Sequence, residues 1–128
     1  KKISCIGTVS FNKLPSVLSN ADIFMHVKVG DWCPNAVLEA MGCGLPVVCP
    51  AFGGTKELVG EAGISVDGPA WEINEILVDG MVKAVIEVQS DLIGYKKKAR
   101  DRILNQYNIT KIAKHYLTVL EYMHEESC

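Results

Sequence analysis

No apolar run in this chain approaches the ~18 residues needed to cross a bilayer, and the opening KKISCIGTV lacks the long apolar segment of a secretory signal. An excess of one charge is missing too. Thirteen Lys and Arg stand against fifteen Asp and Glu, a formal net charge of −2, so nothing electrostatic points to nucleic acid or an anionic membrane surface as a partner. The single basic cluster, Lys96 to Arg100, reads as the solvated face of a helix. Paired cysteines are also missing. The count of five (Cys5, Cys33, Cys43, Cys49, Cys128) is odd, and no two form CxxC. Neither they nor the three histidines fall at metal-ligand spacing. A disulfide framework and a zinc site are therefore not expected. Cys5 and Cys49 lie in apolar runs, where a free thiol behaves as a small hydrophobe. A reducing, cytoplasmic compartment follows as the expectation.

What is present is an ordinary globular composition. The 128 residues are 48% hydrophobic and 22% charged, which suits one domain around one core. A chain of this size buries about two thirds of its unfolded surface. There is no internal repeat, low-complexity segment or linker.

Strand and helix patterns alternate along the first half. Ile3 to Ile6, closed by Gly7, reads as a buried strand, with the chain starting in mid-fold. Lys13 to Ala21 reads as a helix with Pro15 in its first turn. Asp22 to Val27 is a second, nearly unbroken apolar strand. His26, near its end, is read as a hydrogen-bonded core residue more readily than as a ligand or base. Asn35 to Met41 forms a helix closed by Gly42 and Gly44. Pro46 to Cys49 is a third strand, Thr55 to Val59 a short helix, and Ala62 to Val66 a fourth strand. Such alternation predicts a parallel sheet with right-handed crossovers. From Trp71 the period becomes helical: Ile73, Ile76, Leu77, Met81, Ala84, Val85 and Val88 form one stripe, and Gly80 within it implies close packing. Asp91 is placed to cap a second helix to about Asn105, and Asn108 or Thr110 a third. The third carries Ile109, Ile112, Ala113, Tyr116, Leu120 and Met123 on its apolar face, and the three helices are expected to close the domain.

The chemistry concentrates between Asp31 and Glu57. On a continuous helix Asp31 and Glu39 would stand ~12 Å apart, but Asp31 precedes the helix in a loop and Glu39 lies within it. Carboxylates accept paired sugar or ribose hydroxyls well. The start of the Asn35 helix, between them, offers free N–H groups and a positive dipole end to a phosphate. Gly53 and Gly54 allow a close backbone approach after the next strand. Other readings stand beside these. Asp31 serves equally as a helix cap, Glu39 as a half-buried acid with a local partner, and the glycine pair as a turn. Spacing alone leaves both sets open.

At these residues the sequence resembles the donor-binding half of GT-B glycosyltransferases of the large retaining family 4 type, the glycosyl transferases group 1. That family shows A-D-[VI]-F, then E-x-F-G-x-x-x-x-E-A-M/L-A-x-G-x-P-V-V, then G-G-x-x-E. This chain carries Ala21-Asp22-Ile23-Phe24, Asp31, Glu39-Ala40-Met41, Gly44, Pro46-Val47-Val48, and Gly53-Gly54 with Glu57, without a gap. The Gly7 loop and the closing YNITKIAKHYLTVLEYM are also similar, so the likeness covers nearly the whole chain. Among its departures, Asp31 stands for the usual Glu, Cys33-Pro34 for Phe-Gly, and Val27-Lys28 for Pro-Ser. Pro34 also removes a backbone donor.

The resemblance implies a Rossmann-like α/β fold, truncated at its N-terminal end, and a nucleotide-sugar site needing no metal. Asp31 would touch hydroxyls of the transferred sugar and is the candidate catalytic residue. Glu39 would bind the ribose, and Cys33, Asn35 and Ala36 would meet the sugar and phosphates. Val9 and Ser10 would lie near the base, with Gly53, Gly54 and Glu57 as supports. The implied activity is transfer of a hexose-type sugar with retention, in polysaccharide or glycoconjugate biosynthesis. The resemblance also implies an acceptor domain and a basic Arg/Lys pair outside this chain, so that the chain alone is inactive. Further partners it allows are a membrane-associated acceptor and a homodimer formed through exposed apolar surface. A different class of function, a non-catalytic α/β nucleotide-binding or interaction module, remains the alternative.

Overall fold

The structure is a computed structural model. It describes residues 3–69 and 71–126, with side chains as far as residue 124. Three short parallel strands lie in the order β1 (Phe24–Met25), β2 (Val47–Pro50) and β3 (Gly63–Val66). Phe24 stands opposite Val47, and Val47 opposite Gly63. β2 is buried along its whole length and divides its side chains by the two-residue period of a strand. Val47 and Cys49 enter one apolar cluster with Val37, Met41, Val59, Ala62 and Ala99. Val48 enters the other, with Leu77, Met81, Ala84 and Val88. The first cluster is covered by α2 (Asn35–Gly42) and α5 (Leu92–Gln106), the second by α4 (Glu75–Ser90). The result is the helix–sheet–helix sandwich expected of unbroken parallel strands.

Helix boundaries follow side-chain caps. α4 begins at Glu75 rather than at Trp71 because Asn74 is extended and its side-chain oxygen accepts from the Leu77 N–H at 3.0 Å. Trp71 itself has a left-handed φ of 68° and cannot continue a helix. Asp91 caps α5 as expected, accepting from the Gly94 N–H at 3.2 Å. Asn108, not Thr110, caps α6 (Ile109–Glu126), accepting from the N–H groups of Thr110 and Lys111. Gly80 does mark close packing, though against the sheet: a Cβ there would lie 2.5 Å from Cγ1 of Val66.

Several expectations are corrected. Ile3 to Ile6 forms no strand, and Ile3 and Ile6 are 92% and 67% exposed. A strand exists only with a ladder partner, and this segment has none among the described residues. Cys5 is exposed for the same reason, so only Cys49 acts as the buried hydrophobe. Cys128 lies outside the described residues. The first helix is shorter than expected: a 3-10 turn at Phe11–Lys13 leads into α1 (Leu14–Ser19). The second strand is confined to β1, flanked by N–H bonds from Phe24 to Pro46 and from His26 to Val48. The basic run is not merely solvated. Lys96 donates to Asp22 at 3.0 Å and Arg100 donates to the Gly42 carbonyl, so two of its cations hold α5 to α2 and to the lead into β1. Finally, α6 does not close the domain. Its Ile109, Tyr116, Leu117 and Leu120 are more than half exposed.

Candidate functional site

Asp31 follows β1 through a turn made by Gly30, whose φ is +73°. Its backbone, not its side chain, ties the loop down. Asp31 pairs with Gly53 in an isolated parallel bridge, and its carbonyl accepts from the Gly54 N–H and from the Thr55 hydroxyl, each at 3.1 Å. The glycine pair makes this contact feasible. Gly53 has φ +103°, and a Cβ there would stand 2.6 Å from the Asp31 carbonyl oxygen. A Cβ on Gly54 would collide with the Trp32 carbonyl. The close approach foreseen at Gly53 and Gly54 is thus filled by the Asp31–Trp32 backbone, and the pair serves as more than a turn.

Held this way, the Asp31 carboxylate is 19% exposed, with Oδ2 3.3 Å from His26 Nε2 and 3.3 Å from Lys28 Nζ. Lys28 is 69% exposed, so water screens most of its attraction. His26 is different: its Nε2 is buried, and although the distance is that of an ion pair, no hydrogen bond satisfies the atom. A buried polar atom without a partner is uncommon and carries a desolvation cost. The sequence put His26 in the core and missed that it meets the Asp31 carboxylate. The one available signal was its position five residues before Asp31 at the end of an apolar strand. Asp31 is not a helix cap, because α2 is capped by Pro34 with no side-chain hydrogen bond.

Beyond Asp31, Cys33, Asn35 and Ala36 are exposed where α2 begins, and Pro34 is buried. The N–H groups of a helix's first turn have no partner within the helix; here Val37 donates to the Pro34 carbonyl at 3.1 Å, which leaves those of the exposed Asn35 and Ala36 between the two candidate acids. Glu39 is half-buried one turn further on, with no hydrogen-bond or ion partner for its side chain among the described residues. It lines a cavity of about 210 Å³ with Phe11, Leu14, Pro15, Leu18 and Cys43. Val9 and Ser10 run directly into this wall, since the Ser10 carbonyl accepts from the N–H groups of Lys13 and Leu14 and starts the turn that carries Phe11. The turn that follows Ser10 therefore faces the same cavity as Glu39, through Phe11. Glu57 is exposed in α3 (Thr55–Val59), just after the glycine pair; its carbonyl, rather than its carboxylate, is engaged, by Arg102 and Tyr107.

A cluster of rings beside Asp31 has no counterpart in the sequence pattern. Phe52 lies 6.5 Å from Trp32 and 4.9 Å, edge-on, from Trp71. A wider depression of about 510 Å³ lies at the start of α4, lined by Ile73, Asn74, Glu75, Val78 and Asp79. It has none of the Asp31–Glu39 groups on its walls, so volume alone does not mark the site.

Comparison with known proteins bears on the family and the fold. A family model described as glycosyl transferases group 1 matches residues 1–91. Two Escherichia coli proteins are similar in sequence. UDP-Gal:alpha-D-GlcNAc-diphosphoundecaprenol alpha-1,3-galactosyltransferase is 31% identical over 102 residues, 78% of this chain and 25% of that protein. O-antigen chain mannosyltransferase B is 35% identical over 65 residues, 51% of this chain and 17% of that protein. The chain thus spans a quarter or less of the length of these relatives. Among solved structures, sucrose-phosphate synthase from Thermosynechococcus elongatus superposes with a TM-score of 0.75 at 19% identity, over 94% of this chain and 30% of that one. Anabaena Alr3699/HepE, solved in complex with UDP-glucose, superposes with a TM-score of 0.66 at 20% identity, over 85% of this chain and 30% of that one. At these identities the likeness bears on the fold, which is the expected Rossmann-like α/β fold of GT-B type. From the family match over residues 1–91 and the ungapped motif from Ala21 to Glu57, the chain belongs to the glycosyl transferases group 1 family.

Proposed function

We propose that this chain is the nucleotide-sugar-binding part of a glycosyltransferase. It would serve transfer of a hexose-type sugar, with retention and without a metal, to an acceptor held largely by protein outside it. The observation that carries this is the exposed start of α2 between two carboxylates: Asp31 on one side, held by its backbone and flanked by His26, and Glu39 on the other, beside a cavity and without a side-chain partner among the described residues. A phosphate on the helix N–H groups would place ribose toward Glu39 and the transferred sugar toward Asp31. That HepE is seen with UDP-glucose and that one relative is named for UDP-Gal support a uridine donor.

Retention and independence of metal rest on the family resemblance. The named acceptor of the galactosyltransferase relative, a diphosphoundecaprenol-linked sugar, supports a membrane-associated acceptor. Among the described residues no helix is long and apolar enough to cross a membrane, and four free cysteines suit a reducing, cytoplasmic setting. The chain alone would bind donor but not transfer it. Homodimerisation would use the apolar face formed by Met25, Val27, Val82 and Ile86; a sedimentation coefficient that stays monomeric across concentration would exclude it.

Titration calorimetry with UDP-, GDP- and ADP-sugars tests the donor site. Glu39→Gln is expected to weaken binding by about 1–3 kcal/mol, the worth of a charge-assisted hydrogen bond. Unchanged affinity in that variant would remove the ribose role from Glu39. The missing N–H at Pro34 favours a second reading, a module that binds nucleotide without transfer. Turnover by the longer protein, abolished by Asp31→Asn, would reject it.

A further inference from the structure

We infer that Trp32, Phe52 and Trp71 form a platform that stacks on the apolar face of a pyranose ring held beside Asp31. The three rings come from three separate loops and meet at one place, Phe52 lying 4.9 Å from Trp71 and 6.5 Å from Trp32. They are fixed from behind and open in front. A Cβ on Gly30 would stand 2.5 Å from the Trp71 ring, so that ring lies flush on the turn that presents Asp31. Yet Trp32 and Trp71 remain 67% and 68% exposed. Trp71 also holds φ 68°, a left-handed conformation that bulky residues rarely adopt and that persists only where its surroundings enforce it.

Rings serving only as packing would be buried; Phe52 is partly buried between the two tryptophans, and these keep most of their surface in water, next to a carboxylate. Aromatic faces carry negative potential and attract the weakly positive C–H bonds of a sugar ring, while a carboxylate accepts its hydroxyls. An apolar face joined to a hydroxyl acceptor is complementary to a pyranose. A nucleobase also stacks on aromatic rings, but the cavity at Glu39 shares no lining residue with this platform. The proposal rests on the donor reading only for the source of the ring, which is either the transferred sugar or the acceptor glycoside.

The chain's two tryptophans are both in the platform, so selectively excited tryptophan fluorescence, free of the four tyrosines, reports this place alone. The probes are methyl glucoside and methyl galactoside, UDP-glucose, UDP, and phosphatidylglycerol vesicles, with calorimetry run in parallel. A saturable change with UDP-glucose that UDP does not produce identifies the transferred sugar, and one with the glycosides identifies the acceptor. In either case Trp71→Ala should weaken the response about tenfold, with Trp71→Phe retaining more of it. Trp32→Ala gives the same reading should Trp71→Ala unfold. UDP-glucose binding seen by calorimetry with silent tryptophans overturns the platform and leaves the donor site intact. Glycoside quenching without nucleotide binding does the reverse. Equal responses to UDP and UDP-glucose with silent glycosides, or a response to vesicles alone, overturn the platform.

Discussion

At the scale of residues, Asp31 shows how a short acid can be positioned by its backbone. Its carboxylate is not aimed by a long side chain but by a loop whose backbone is bonded to Gly54 and Thr55, and Oδ2 is bracketed by His26 and Lys28. Removing the imidazole should separate position from stability. In His26→Leu no hydrogen bond is lost, because Nε2 makes none, so urea unfolding should change by less than ~1 kcal/mol. Donor affinity should fall, since, among the described residues, the carboxylate loses the one largely buried side chain that meets it at an ion-pair distance. A variant with unchanged donor affinity would show that His26 is packing alone.

At the scale of elements, the glycine pair and β1 carry the lesson about what was legible. The order of strands and helices from Asp22 to Ser90 follows from apolar runs, caps and glycine stops that lie within a few residues of each other, and the structure keeps it. What failed depended on partners distant in sequence. Ile3 to Ile6 has the composition of a strand and lacks a neighbour to pair with, and α6 has an apolar stripe that meets little of the domain. The His26–Asp31 contact and the ring cluster were hidden for the same reason, because they join loops that only the sheet brings together. Gly53 could be read as a turn or a ligand approach; only the fold shows that its missing Cβ admits the Asp31 carbonyl. Gly53→Ala should therefore cost about 1–3 kcal/mol, from left-handed backbone and collision together. It should weaken donor binding as the Asp31 loop shifts. Denaturant midpoints and calorimetry on the one variant read both effects.

At the scale of the whole molecule, the sandwich is built around β2, and Cys49 at its centre reports that core. Burial pushes its thiol above the usual range, partly offset by a hydrogen bond involving Ser65. As pH rises through the ordinary thiol range the unfolded chain ionises while the folded one stays protonated, so this group makes stability fall toward alkaline pH. Correspondingly, Cys5 and Cys33, both exposed, should react quickly with a thiol reagent, and Cys49 only on unfolding. Mass mapping of the labelled sites checks this order; early labelling at Cys49 would mean that the core opens locally.

One end of the sheet leads into the loop that carries Asp31 and the α2 helix that carries Glu39, and that end is where the nucleotide sugar is proposed to sit. Amide chemical-shift mapping of this chain with UDP-glucose tests that placement most directly. The expected result is saturable shifts concentrated in residues 7–11 and 31–39. Shifts confined to the depression at residues 73–79, or none with UDP-, GDP- or ADP-sugars at millimolar concentration, would contradict it.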